Sequence, residues 1–190
     1  MFVFGTRFVI DILSVRSCTT HKNLVGVWDN RLLLMVKFVT TPREKKEYEL
    51  SNKIVSVDKG KGRFPKSAYM ALIEKSSDTP ASRQKYVQAL LAKLSDMYGV
   101  PKPKVIVVNK HLRTSRGVAA LGYYQPVGNE IHISNITYRL GKVTTNKQVA
   151  KIALHEFMHL YDRSYLNLLY SKHTTGFYKR ISDLEKKLSE

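Results

Sequence analysis

Cysteine is almost missing: Cys18 is the only one in 190 residues. A single thiol excludes an internal disulfide and every zinc ribbon or finger built from cysteine pairs. Any metal must therefore rest on His, Asp or Glu. Acidic side chains are scarce too, 15 against 32 Lys and Arg, which gives a net charge of +17 and a pI near 9.9. Such a surface repels itself and attracts polyanions, of which nucleic acid is the commonest. The imbalance is steepest in residues 61–120, with 12 basic and 3 acidic side chains. Long apolar runs are also lacking. No stretch reaches the roughly 20 uninterrupted apolar residues of a membrane span. The greasy start MFVFGTRFVIDILSV has no basic leading region, is broken by Arg7 and Asp11, and is followed by no small-residue cleavage site. These absences set the expectation of an intracellular protein, cytoplasmic or at a nucleoid or nucleus, with no membrane partner.

What is present is the 43% hydrophobic and 25% charged content of a globular chain, without internal repeat or low-complexity tract. Residues 1–65 read as a β-rich segment: FVFGTRFVIDILSV and LVGVWDNRLLLMVKFVTT are rich in Val, Ile, Leu and Phe, and EYELSNKIVSVD could add a further strand. The basic, glycine-bearing DKGKGRFP marks a boundary, with a second unit over residues 66–190. There the periodicity predicts a short helix in KSAYMALIEK and a longer one in TPASRQKYVQALLAKLSDMYG, started by Thr79 or Ser82 and stopped by Gly99. KVIVVN reads as a buried strand, and RGVAALGYYQP, VGN and EIHIS as a hairpin. A long helix follows from near Thr145, then a last one near residues 176–188.

Inside the long helix lies ALHEFMHLYD, with His155, Glu156 and His159 in the order HExxH. A helix turns about 100° per residue, so positions i and i+4 stack on one face and two imidazoles can reach one tetrahedral zinc. Glu156 sits a further 100° or so round, within reach of a metal-activated water whose proton it could take and pass to a leaving amine. A catalytic zinc needs a third protein ligand. His173 is favoured, because the gap after His159 lets the helix end and the chain return. Asp183 or Glu185 on the last helix, or Asp162 one turn further along the same helix, are alternatives. Asp162 is better placed to orient a ligand histidine. His132, alone on an alternating strand, reads as structural.

HEFMH followed by HTTGF, with His173 and an aromatic Phe177 four residues on, resembles the SprT-like (Spartan-type) zinc metallopeptidase domain. RGVAALGYYQPVGNEIHIS leading into VAKIALHEFMH is similar to that family's short sheet before its metal helix, and the likeness covers about residues 80–181. The resemblance implies an α+β, minimal zincin-like fold, Zn2+ bound by His155, His159 and His173, Glu156 as general base, and proteolysis of proteins at or near DNA. Tyr123 and Tyr124, just before the metal helix, could line the cleft, one of them stabilising an oxyanion. An edge strand at 129–134 could pair with an extended substrate. The competing expectation is a basic nucleic-acid-binding or structural protein whose zinc site is structural or vestigial.

Overall fold

The computed structural model describes residues 41–113, 119–170 and 173–190. The strands expected within residues 1–40 lie outside them. The described residues form a mixed α+β fold of five helices and two small sheets: α1 (Pro42–Lys53), α2 (Lys66–Lys75), α3 (Pro80–Tyr98), β1 (Lys104–Val108), β2 (Leu112–Arg113), β3 (Ala119–Ala120), β4 (Gly122–Gln125), β5 (Glu130–Ser134), α4 (Asn146–Ser164) and α5 (Thr175–Ser189).

One expectation fails at once. EYELSNKIVSVD does not supply a strand; its first seven residues complete α1. The physical reason is the start signal upstream. Thr41 Oγ1 accepts the Glu44 amide at 3.2 Å, Glu44 Oε2 accepts the Thr41 amide at 3.1 Å, and Pro42 occupies the first turn. That reciprocal capping box with its pre-set proline nucleates a helix.

From Lys66 onward the predicted helices and strands form where the pattern puts them. Thr79 caps α3, and Gly99 ends it in the left-handed region (φ 66°, ψ 30°), where a residue without Cβ carries no steric cost. Thr145 caps α4 by accepting the Gln148 amide. β4 and β5 pair antiparallel as the expected hairpin, and β1 joins the far side of β5 in parallel.

The sheet order β1-β5-β4 therefore makes β5 the central strand. The strand at 130–134 is not an edge; its hydrogen-bonding groups are engaged on both sides, and among the described residues the free edge beside it belongs to β4. One sheet face, with Val105, Val107, Tyr124, Ile131 and Ile133, packs into the core. α4 is the hub of that core. Its buried Val149, Ile152, Ala153, Phe157 and Leu160 share one cluster with Val87, Leu90 and Leu94 of α3, Leu72 of α2, and Leu184 and Leu188 of α5. Among the described residues, no helix is long and apolar enough to cross a membrane.

Candidate metal centre

α4 presents His155 and His159 from successive turns, both buried. The third imidazole arrives from the chain just before α5. Thr174 fixes that approach: its Oγ1 accepts the Phe177 amide at 3.0 Å as the helix cap and shares a 2.8 Å hydrogen bond with Ser51 Oγ of α1. His173 Nε2 consequently lies 3.0 Å from His155 Nε2 and 3.1 Å from His159 Nε2. The three ligand atoms fall within 4.8 Å of one another.

The donor set fits zinc. A zinc ion about 2.0–2.1 Å from each nitrogen would hold tetrahedral neighbours about 3.3–3.4 Å apart, close to the spacing seen. A proton on the His173 nitrogen can serve its two neighbours only by being shared, whereas one cation at their centre satisfies three lone pairs together. Burial, reinforced by the neighbouring His173, pushes His155 down to about 3, and burial does the same to His159, which is driven well below its ordinary range. Neutral imidazoles are the form that binds metal. Phe177, fully buried, touches all three rings, stacked on His159 at 4.6 Å and edge-on to His155 at 5.0 Å and to His173 at 5.4 Å.

Glu156 is the unusual group. It is fully buried, and among the described residues neither carboxylate oxygen completes a hydrogen bond. Burial drives its pKa well above the usual carboxylate range; the Tyr124 backbone amide pulls weakly the other way without making a bond of full geometry. An orphaned buried carboxyl costs stability and marks a place where a ligand, water or cation belongs. Room for it exists because residue 122 is glycine. A Cβ there would stand 2.6 Å from Ile152 Cγ2 and 3.2 Å from Glu156 Oε1.

No family model, curated protein or solved structure matches the chain. Its functional reading rests on the chemistry of the site.

The alternatives for the third ligand lie elsewhere. Asp162 is held by Arg180, whose Nε and Nη2 donate to its two oxygens at 3.1 and 2.5 Å. Asp183 accepts the Val57 amide at 2.8 Å and pairs with Lys187, and Glu185 lies by Tyr69 and Lys151. Tyr124 is packed in the core with its hydroxyl donating to Asn129 Oδ1 at 3.3 Å. Tyr123 stacks on His132 at 4.5 Å on the sheet's other face, where His132 also meets Glu130. The phenol beside the imidazoles is instead Tyr178, half-exposed, with its ring 5.9 Å from His173 and 6.1 Å from His155. It also lines a groove of about 450 Å³ with Val55, Thr175, Lys179 and Ser182.

Sequence reasoning missed three supporting residues: Tyr178, Gly122 and Arg180. Only Tyr178 had a signal, its place five residues after His173 on a helix that starts in between.

Proposed function

We propose that the protein is a zinc-dependent endopeptidase of the SprT-like, minimal zincin type that acts on proteins at or near nucleic acid. The observation that carries this reading is the convergence of the His155, His159 and His173 Nε2 atoms beside the orphaned Glu156 carboxyl. Bound there, zinc would supply Lewis acidity, lowering the pKa of water and polarising a carbonyl.

The chain's own groups account for the remaining chemistry. The ionised form of Glu156, favoured by a cation held by the three imidazoles, would accept a proton from water and return it to the amine as the peptide bond breaks. Phe177 packs against all three imidazoles and limits their rotation. The free edge of β4, whose Tyr124 amide approaches Glu156, offers backbone groups on which an extended peptide could lie as an added strand. Strand addition reads backbone rather than side chains, which suits substrates of many sequences. The groove beside Tyr178 would then take a side chain next to the scissile bond. The net charge of +17 supports the nucleic-acid side of the reading.

The competing assignment, a structural zinc in a binding protein, calls for a fourth protein ligand. Among the described residues the ligand group has three members. Two measurements separate the readings. Metal analysis should find one zinc per chain in the wild type and none in His159→Ala. Cleavage of casein, or of the chain itself, with and without single-stranded DNA should disappear in Glu156→Gln. Full zinc occupancy with no cleavage under any of these conditions would sink the peptidase.

A further inference from the structure

The segment linking β5 to the metal helix is an exposed loop with an unusual surface. Between Asp96 and Glu156 the sequence holds nine Lys and Arg and one acid, Glu130. That acid is engaged by Lys104 Nζ at 3.2 Å and His132 Nε2 at 3.0 Å. The loop is folded back on itself: Ile136 bridges Val143, Thr137 donates its amide to the Lys142 carbonyl at 2.8 Å, and Gly141 (φ 59°) makes the turn. Ser134 Oγ, whose one proton lies between the carbonyl oxygens of Lys110 at 3.0 Å and Ile136 at 2.9 Å, ties the chain after β1 alongside.

This folding places two exposed rings together, Tyr138 and His111, at 5.4 Å in an edge-to-face pair. Around them Lys110, Arg113, Arg139 and Lys142 are all exposed, and Leu140 at the tip is 71% exposed. A half-exposed tyrosine propped edge-on by a second ring is a rigid, pre-oriented face. The fold brings one acid to this end, Asp78, whose carbonyl accepts from Asn135 Nδ2 at 2.9 Å, but its carboxylate is taken by Arg83 at 2.6 Å. The four exposed cations outnumber it and form a field that draws phosphate.

We infer that this loop and the end of β1 form a single-stranded nucleic-acid site, in which a base stacks on Tyr138 and the cations contact the backbone. The inference deepens the nucleic-acid part of the proposed function and does not depend on the peptidase chemistry. An exposed ring accepts a base only when that base is unstacked, which favours a single strand over a duplex. Stacking is sequence-tolerant because every base has a π-face. A bilayer fits less well. Surface anchoring relies on an amphipathic helix with a continuous apolar face or on two combined signals, and here the two exposed aliphatic side chains, Leu140 and Val143, are set apart by Gly141 and Lys142.

The test uses the full zinc-loaded chain and a fluorescein-labelled oligothymidylate of about 20 nucleotides, longer than the roughly 4–16 a small single-strand-binding domain covers. Tyr138→Ala should weaken binding at least about fivefold and leave the salt slope unchanged, while Tyr138→Phe stays within about twofold. Arg139→Gln with Lys142→Gln should flatten the slope of log affinity against log salt by about 1.4. The same charge removed from α1, Lys45→Gln with Lys46→Gln, should do much less. Wild-type binding by Tyr138→Ala would overturn the proposal, and so would equal losses from the two charge pairs, which would mean diffuse attraction. Binding to phosphatidylserine–phosphatidylcholine vesicles that is lost in Leu140→Ser, with oligonucleotide binding intact in Tyr138→Ala, would identify a membrane surface instead. Casein cleavage without oligonucleotide, measured on Tyr138→Ala, should equal the wild type. If no variant cleaves but binding maps to Tyr138, the peptidase reading falls and this site stands; cleavage that needs Glu156 beside binding indifferent to Tyr138 gives the converse.

Discussion

His155 and Glu156 are adjacent in sequence, yet burial pushes them in opposite directions, and this gives the metal-free protein a distinctive pH profile. Burial lowers His155 from its ordinary 6.5 to about 3. Between those values the unfolded chain binds a proton that the folded protein excludes, so stability falls as pH falls through that window. For His155 alone the loss at pH 5 relative to pH 7.5 is about 2 kcal/mol, and His159 acts in the same direction. Glu156 works in reverse: its raised pKa means the folded state keeps a proton that the unfolded chain sheds above pH 4.5, so its cost grows as pH rises. Urea titrations in chelator should therefore show Glu156→Gln more stable than wild type at pH 7.5, with the gain vanishing near pH 4, even as the change abolishes cleavage. A uniform gain at all pH values would mean the carboxyl is not held protonated. For the ligands, His173→Ala should weaken zinc binding by more than about 100-fold, beyond the 10–100-fold expected of an outer support, while Asp183→Ala leaves it unchanged. Competition with a colorimetric chelator reads both.

The elements that were legible in sequence are those whose caps and periodicity agree. Thr79 and Gly99 bracket α3, Thr145 opens α4, and Gly128 and Asn129, both with positive φ, close the β4–β5 hairpin. α1 was misread because the apolar alternation in its second half outweighed TPRE, the capping box just upstream. Nothing local shows which cations are buried. In a chain with 32 Lys and Arg, Arg180 reads as surface, yet it is fully buried and joins three helices. It pairs with Asp162 of α4 and donates from Nη1 to the Ser51 carbonyl of α1 at 2.8 Å and from Nη2 to Ser51 Oγ at 3.0 Å. Arg83 does the same at the start of α3, reaching Asn146 of α4 at 3.0 Å and Asp78 at 2.6 Å. Such partners are distant in sequence, so only the fold assembles them. Arg180→Met takes the guanidinium away from the buried Asp162 carboxylate and should cost about 3–5 kcal/mol, and adding Asp162→Leu should recover a large part of it. A denaturation cycle across the four proteins measures the coupling; strict additivity would refute the pairing. Gly176 closes the same junction, since a Cβ there would meet the Ser51 carbonyl oxygen at 1.9 Å.

At the scale of the molecule, the site is built on a frame of protein contacts that runs through three helices. α1, α4 and α5 are already joined by Arg180, and the buried His155 and His159 meet the half-buried His173 through protein contacts alone. Zinc should therefore act as an added ligand of a folded protein rather than as the condition for folding. A ligand at about 100 times its dissociation constant adds about 2.7 kcal/mol. For a chain of 190 residues, at about 2–4 °C per kcal/mol, that is a rise in Tm of roughly 5–11 °C. Chelator should remove this increment while the far-UV circular dichroism at 25 °C or so stays helical, and His173→Ala should show no zinc-dependent increment at all. Loss of the helical spectrum on chelation would make the metal a structural staple and favour the binding-protein alternative. Retention of the spectrum with loss of cleavage is what a preformed catalytic centre requires, because its ligands must hold their geometry while one metal position stays open to substrate.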